Sequence, residues 1–336
     1  MFKHVSFVLF GLAVVAALPH SPILRKLSPG LRYEYAQDDS GQLHLVDLWG
    51  TLRDLTEAVR YNPDTQNVYH LFTRNNPTTS QPLVLGSIQS VLSSNYNPLH
   101  RTVILLHGWG NTVLSQSNAV MLPAFLAKED ANVIVVDWSA GSGTINYPAA
   151  VRNTVSSGEG VARFINWLES ALPDAQQSQY HIAGFSLGGQ QSGVVGRNLV
   201  RSPAYITSLD PAGPGWVTNE HKFQPTDGIY TEVIHTNVQS AGYLEPLGDV
   251  DFYPNGGNGM PGCVTGGCDH DRAYFYFAES LQTGGFTGQR CENYQAALIG
   301  NCTLEETLQM GGLVPKTGKS GIYYLKTSSS PPFSLG

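Results

Sequence analysis

The sequence predicts a protein of the α/β class, with a mostly parallel sheet that helices cover on both faces. From about residue 68 onward, short apolar strand patterns alternate with helical patterns, and several strands end in polar turns. Strands buried on both faces appear in sequence as nearly continuous apolar runs. The carboxyl ends of parallel strands meet at one edge of the sheet, and we therefore look for functional residues there.

The elements follow one another regularly along the chain. Largely apolar strand patterns lie at 101–106, 132–136, 179–183 and 204–209. Helical patterns lie between or after them at 113–128, 147–172 and 189–201. This alternation predicts one main domain over residues 68–336.

The first 67 residues divide into two segments. Residues 1–17 resemble a secretory signal, because Lys3 precedes an apolar run that ends in small residues and is too short to span a bilayer. We therefore expect a secreted, extracellular protein. Residues 18–67 are interpreted as an N-terminal extension or a pro-segment. An amphipathic helix is expected there, with one apolar face formed by Val46, Trp49, Leu52, Leu55 and Val59.

Composition favours a globular protein and disfavours a protein that binds nucleic acid. Of the 336 residues, 41% are hydrophobic and 13% are charged, which favours a large buried core. The net charge of −7 gives no basic surface for nucleic acid and disfavours non-specific binding to anionic membranes.

Four cysteines lie near the C-terminal end, at Cys263, Cys268, Cys291 and Cys302. An even number in a secreted chain indicates two disulfides, for which three pairings exist. Glycines between Cys263 and Cys268 ease a small loop, which favours pairing these two and leaves Cys291 with Cys302. A zinc site is the alternative, but the second pair is distant and differently spaced.

The pentapeptide Gly184-Phe185-Ser186-Leu187-Gly188 fits the G-x-S-x-G pattern, which places a serine on a sharp turn between a strand and a helix. The pattern alone is weak, because glycine and serine are common. Here a strand pattern precedes it and a helix pattern follows. Ser186 is therefore the candidate nucleophile.

A serine nucleophile needs a base, usually an imidazole that a carboxylate orients. In this architecture the acid and then the base follow the serine along the chain, which excludes Asp137. Asp210 ends the next strand and is the favoured acid, while Asp249 and Asp251 remain rivals.

Three histidines follow in order. His221 lies in a polar loop, and His235 lies in a strand pattern typical of a packed structural residue. His270 is expected on a loop that a disulfide fixes, before a helical pattern at 273–281. The residues alone leave the base open between His235 and His270.

Acyl transfer also needs N–H donors for the developing oxyanion. One is the amide after the nucleophile, at Leu187, and the other comes from the loop after an earlier strand. His107-Gly108-Trp109-Gly110 is such a loop, so we expect the backbone N–H of Trp109 to be the second donor and His107 to be structural.

Together these motifs resemble the pancreatic lipase family of secreted α/β-hydrolases, in the branch of insect neutral lipases, phospholipases A1 and yolk proteins. The resemblance covers about residues 68–308 and includes, in order, His107-Gly108-Trp109, the serine pentapeptide, Ser208-Leu209-Asp210-Pro211-Ala212, Ile234-His235-Thr236, the stretch 251–257 and Cys268-Asp269-His270-Asp271-Arg272. It implies Ser186 as nucleophile, Asp210 as acid and His270 as base, which makes His235 structural. It also implies the disulfides Cys263–Cys268 and Cys291–Cys302, and no cofactor.

The chain departs from the family pattern in three places. Only four residues separate Cys263 from Cys268, and the loop at 237–249 is also short, as in the phospholipase A1 and galactolipase members. This shortened lid predicts a more open entrance to the site. The stretch that binds calcium in vertebrate members offers one carboxylate, Asp227, so we expect no metal. After residue 308 we expect no lipid-binding C-terminal β-sandwich and no colipase-type partner.

The resemblance therefore implies a serine esterase that hydrolyses fatty-acyl esters of glycerolipids at a micelle, emulsion or membrane surface. The short lid favours phospholipids or galactolipids over triacylglycerol. The alternative is a non-catalytic lipid-binding or storage protein on the same fold, as the yolk proteins are.

Overall fold

A computed structural model describes the chain over residues 32–38, 41–49, 56–58, 60–172 and 180–336. The predicted signal at 1–17 lies outside these described residues. Among the helices that are described, none combines the length and the apolar composition needed to cross a membrane.

The secondary structure alternates as the sequence predicts. The strands are β1 Tyr33–Gln37, β2 Leu43–Asp47, β3 Val68–Phe72, β4 Gln81–Leu83, β5 Arg101–Leu106, β6 Ala131–Asp137, β7 Tyr180–Phe185, β8 Tyr205–Leu209, β9 Thr231–Ile234, β10 Val250–Pro254, β11 Thr287–Cys291, β12 Thr307–Gln309 and β13 Gly321–Leu325. The helices are α1 Pro63–Gln66, α2 Ile88–Leu92, α3 Gln116–Lys128, α4 Ser139–Ser142, α5 Tyr147–Ala171, α6 Leu187–Arg197, α7 Gly266–Gln282 and α8 Tyr294–Leu298.

One large sheet contains β3 to β13, in the spatial order β12-β11-β13-β10-β9-β8-β7-β5-β6-β3-β4. The central strands from β13 to β6 are parallel to their neighbours, and the strands outside them pair antiparallel. The predicted mostly parallel sheet is confirmed. The turns after β5, β7 and β8 consequently lie at one edge of the sheet.

Two hydrophobic cores lie on opposite faces of the sheet, because side chains alternate along each strand. In β5, Ile104 and Leu106 pack with residues of α5, such as Phe164, in one core. Val103 and Leu105 pack in the other core, with residues of α3 and α7. The predicted cover of helices on both faces is therefore also confirmed.

The N-terminal extension contains a separate antiparallel hairpin, formed by β1 and β2. The predicted helix through Val46 is wrong, since Val46 lies in β2 and burial in β1 alternates with the two-residue period of a strand. The other members of that predicted face are Trp49, which follows β2, and Leu52, Leu55 and Val59, which are outside the described residues. Ala36 and Val46 are buried in the core that α5 shares, so the hairpin packs on the main domain.

Candidate active site

Ser186 occupies a sharp turn between β7 and α6. Its backbone has φ 58° and ψ −119°, a conformation that residues with a side chain rarely adopt. The turn is so tight that a Cβ at Gly184 would overlap the carbonyl of Gly188. A strained serine between two glycines is the geometry of a nucleophile elbow.

Asp210 lies directly beside this turn, at the end of β8. The amide of Ser186 donates to Leu209 O at 3.0 Å, and the amide of Ala212 donates to Ser186 O at 3.0 Å. These two bonds tie the serine backbone to residues on either side of Asp210.

The Asp210 carboxylate is completely buried. Its Oδ1 accepts hydrogen bonds from the amides of Thr236 at 2.7 Å and Asn237 at 3.0 Å. Two backbone donors hold one oxygen in place, and the other oxygen is left to bind His270.

His270 lies in α7, and its Nδ1 is hydrogen-bonded to Asp210 Oδ2. Since a carboxylate only accepts, Nδ1 carries the proton and the other ring nitrogen, Nε2, is the basic one. Nε2 is buried and has no hydrogen-bond partner among the described residues. The imidazole packs on the ring of Phe185, the neighbour of Ser186, with ring centroids 4.5 Å apart.

The expectation that His270 lies on a loop is wrong, because α7 begins four residues before it, at Gly266. The hydroxyl of Thr265 caps the helix by accepting a hydrogen bond from the amide of Cys268 at 3.3 Å. The neighbouring Asp269 accepts from the amide of Met260 at 2.7 Å, and its burial raises the pKa of its carboxyl. His270 is thus carried by a capped and anchored helix.

His235, the rival base, pairs instead with one of the rival acids. Its Nε2 lies 2.9 Å from Asp251 Oδ1, its Nδ1 lies 3.0 Å from Tyr243 O, and the ring stacks on Tyr253. Asp249, the other rival acid, accepts from the amide of Thr231 at 2.9 Å. These residues hold neighbouring chain segments together, and the described hydrogen bonds of the Asp210 carboxylate go instead to Thr236, Asn237 and His270.

The other two candidates are also accounted for. The amide of His221 donates to Asn219 Oδ1 in an exposed loop. Asp137 accepts hydrogen bonds from the amides of Val113 and Ser139, at 3.2 and 2.9 Å. Both residues therefore support local structure.

The two candidate oxyanion donors flank the serine. A Cβ at Gly108 would lie 3.0 Å from Ser186 Cβ, which places the loop after β5 against Ser186. Leu187 begins α6, so its amide points out of the positive end of a helix. Within the described chain, no group accepts a hydrogen bond from the amide of Trp109 or of Leu187.

The loop that carries Trp109 is held by its own side chains, as expected for His107. His107 Nε2 accepts from the amide of Trp138 at 3.2 Å, and its carbonyl accepts from the Trp138 indole at 2.9 Å. The Trp109 indole donates to Thr144 O at 2.8 Å. The backbone amide of Trp109 is thereby fixed beside Ser186.

The structure joins Cys263 to Cys268 and Cys291 to Cys302. The first bond closes a loop directly before α7, and Val264 within that loop is 98% exposed. Two disulfides fit an extracellular protein.

Asp227, the carboxylate judged insufficient for a calcium site, is paired with an arginine. Arg197 Nε and Nη2 donate to the two carboxylate oxygens of Asp227 at 2.9 and 2.8 Å, and Nη2 also donates to Lys222 O at 2.7 Å. Among the described residues no group of three or more histidine, cysteine or acidic side chains could hold a metal ion.

The entrance to the site is more covered than the short loop between the cysteines suggests. Gln37 of the hairpin donates to Gly267 O at 3.2 Å, and the His44 ring lies 5.3 Å from the Trp109 ring, centroid to centroid. The hairpin thus reaches both α7 and the loop after β5, and Ser186 is only 6% exposed. Sequence reasoning missed this cover because it assigned the segment to a helix.

Known proteins resemble this chain over a region that includes Ser186, Asp210 and His270. A family profile described as Lipase matches residues 39–333. Lipase member H-A from Xenopus laevis is 36% identical over 248 residues, covering 69% of this chain and 52% of that protein. Human lipoprotein lipase is 32% identical over 287 residues, covering 75% of this chain and 60% of that protein.

The matched region covers only part of each relative. The chain spans between half and two thirds of the length of these relatives, 52% of one and 60% of the other. Among solved structures, an esterase from Pyrococcus furiosus is 19% identical, with a TM-score of 0.27 over 33% of this chain and 41% of that one. The sequence relatives and the profile, which covers most of the chain, establish the family: the chain belongs to the pancreatic lipase family of α/β-hydrolases.

Proposed function

We propose that the protein is a secreted serine esterase that hydrolyses the fatty-acyl ester bonds of glycerolipids. The observation that carries the proposal is the hydrogen-bonded pair of Asp210 and His270, packed against the turn that holds Ser186. A buried carboxylate, an oriented imidazole and a strained serine are the parts of a catalytic triad.

In the acylation step, Ser186 Oγ attacks the ester carbonyl and its proton passes to His270 Nε2. Asp210 stabilises the imidazolium that forms. The amides of Leu187 and Trp109 donate to the oxyanion of the tetrahedral intermediate. His270 then gives the proton to the departing alcohol oxygen, which leaves an acyl-serine.

In the second step water hydrolyses the acyl-serine. His270 Nε2 removes a proton from the water as it attacks, and returns it to Ser186 Oγ when the fatty acid leaves. The chemistry that we assign needs only the side chains and amides already described, without a cofactor.

We further propose that polar glycerolipids, meaning phospholipids or galactolipids, are preferred over triacylglycerol. The four-residue loop between Cys263 and Cys268 supports this preference, because it is too short to fold into a large apolar lid. The substrate would be met at a micelle, emulsion or membrane surface outside the cell.

Two measurements test the proposal. A fluorophosphonate probe should label the protein at Ser186 and should not label Ser186→Ala; absence of labelling favours a lipid-carrying or storage protein. Turnover on phosphatidylcholine, digalactosyldiacylglycerol and triolein should then be compared side by side. Activity confined to triolein would overturn the preference for polar lipids and keep the esterase.

A further inference from the structure

The hairpin of β1 and β2 exposes apolar side chains on its outer face. Tyr33, Tyr35, Leu43 and Leu45 are 49%, 53%, 37% and 61% exposed, and Tyr35 pairs directly with Leu45 across the hairpin. When one face of a sheet remains in water, side chains along each strand usually alternate between apolar on the buried face and polar on the exposed face. On the outer face of this hairpin four of the six side chains are large, apolar and exposed, the other two being Gln37 and Asp47, which calls for a partner there.

This face lies at the entrance of the candidate active site. The bond from Gln37 to Gly267 and the contact of His44 with Trp109 fix the hairpin on two sides of that entrance. Loops from other elements add exposed apolar groups at the same edge of the sheet. Ile145, after β6, is 94% exposed, and Val264, before α7, is 98% exposed.

The charges of the hairpin do not suit an anionic partner. Residues 32–49 contain one arginine, no lysine and four acidic residues. Arg32 is paired with Asp47 at 2.8 Å, and His44 Nε2 lies 2.6 Å from Asp38. Attraction to an anionic membrane requires clustered lysine or arginine, which this segment lacks.

We propose that the outer face of the hairpin docks the protein onto a zwitterionic phospholipid surface. The inference rests on the proposed function, since an enzyme that acts on lipids in a bilayer must present its entrance to that bilayer. Tyr35 and Leu45 enter the interface, tyrosine being suited to the boundary between headgroups and acyl chains. The hairpin thereby provides an apolar contact with lipid that the four-residue loop between Cys263 and Cys268 is too short to make.

Binding can be measured separately from catalysis by placing every variant in a Ser186→Ala background. The test variant is Tyr35→Thr with Leu45→Thr, because threonine is polar and keeps a high strand propensity. The control is Leu99→Thr with Val200→Thr, two residues that are 65% and 83% exposed at the opposite edge, before β5 and β8. Co-flotation with phosphatidylcholine vesicles reports the affinity.

We expect the hairpin variant to bind these vesicles at least about 10-fold more weakly, because two apolar side chains no longer leave water. The control should stay within about twofold. Unchanged binding by the hairpin variant overturns the proposal, as does an equal loss in the control. Tighter binding to phosphatidylglycerol vesicles than to phosphatidylcholine overturns the choice of a zwitterionic surface.

The same substitutions with Ser186 intact separate this inference from the proposed function. Turnover of soluble p-nitrophenyl butyrate should be unchanged in the hairpin variant, while turnover of vesicle phosphatidylcholine falls with binding. If the unmodified protein does not hydrolyse the soluble ester, the esterase proposal fails and the vesicle result still decides the docking surface. If the double variant does not fold, Leu45→Thr alone is used and a smaller loss of binding is expected.

Discussion

Gly242 packs directly against the carboxylate of Asp210, and a Cβ at position 242 would lie 2.5 Å from Oδ1 and 2.7 Å from Oδ2. These distances are shorter than van der Waals contact, so a side chain here must displace the carboxylate. The position of the proposed catalytic acid therefore depends on a glycine in a loop that no catalytic motif includes.

Gly242→Ala should lower kcat on a soluble ester by about 10–100-fold, because a displaced Asp210 no longer orients His270. KM should change little. The control is Gly266→Ala, where the new Cβ would lie 3.5 Å from Asn237 Nδ2, an ordinary contact. Equal activity of the two variants would contradict the role assigned to Gly242.

The two buried histidine–aspartate pairs should respond differently to the same substitution. Asp210→Asn should lower kcat by roughly 10³–10⁴-fold, since it removes the charge that stabilises the imidazolium of His270. Asp251→Asn alters the pair with His235, and should mainly cost stability, about 3 kcal/mol, while the folded protein keeps its kcat. Ester kinetics and urea unfolding of both variants check this, and a comparable loss of kcat in Asp251→Asn would contradict it.

The strained backbone of Ser186 predicts a gain in stability when the serine is replaced by glycine. Ser186→Gly relieves a strain of about 1–3 kcal/mol and adds an entropy cost of roughly 0.5–1 kcal/mol, for a net gain near 1 kcal/mol. Ser186→Ala keeps the strain and serves as the matched variant, because both lack the nucleophile. Urea unfolding should give the glycine variant the higher free energy of unfolding. The reverse order would show that the turn is not strained at this position.

Glu169 in α5 should make stability depend on pH. Burial raises the pKa of its carboxyl from 4.5 to about 7, with a smaller opposing effect of Arg201. Because the pKa is higher in the folded state, folding takes up a proton. This contribution is fully present below pH 4.5 and is lost as the pH rises through about 7.

Glu169→Gln should therefore match the unsubstituted protein at pH 4 and exceed it at pH 8, on the order of 2–3 kcal/mol. The control is Glu159→Gln, at an exposed position of the same helix. Thermal unfolding across this pH range measures both differences. A constant difference for Glu169→Gln would contradict the raised pKa.

The sequence predicted the central sheet well because its signals are local. Strands such as β5 and β6 are apolar runs buried on both faces, and their bounds agree with the prediction within one residue. The turn at Ser186 was also predictable, since a strand pattern precedes the two glycines and the serine and a helix pattern follows them.

Two features could not be predicted, for different reasons. The hairpin has apolar residues on both faces, so its period of two is hidden, and Val46 and Trp49 also fit one face of a helix. The start of α7 was missed because Gly266 and Gly267 disfavour helix in sequence. In the structure the side chain of Thr265 caps the helix and stabilises its first turn. The choice of His270 over His235 stayed open from the residues alone, since it depends on contacts between residues far apart in sequence, and only the family resemblance implied it.

The bond between His270 and Asp210 joins residues 60 positions apart, whereas Ser186 and Asp210 follow directly hydrogen-bonded neighbouring strands. The nucleophile and the acid are therefore brought together as soon as β7 and β8 pair. The base arrives only when α7 docks, a non-local contact that carries a larger loop-closure cost. A newly made chain would thus stay catalytically silent until α7 is in place, and esterase activity would report the docking of this helix.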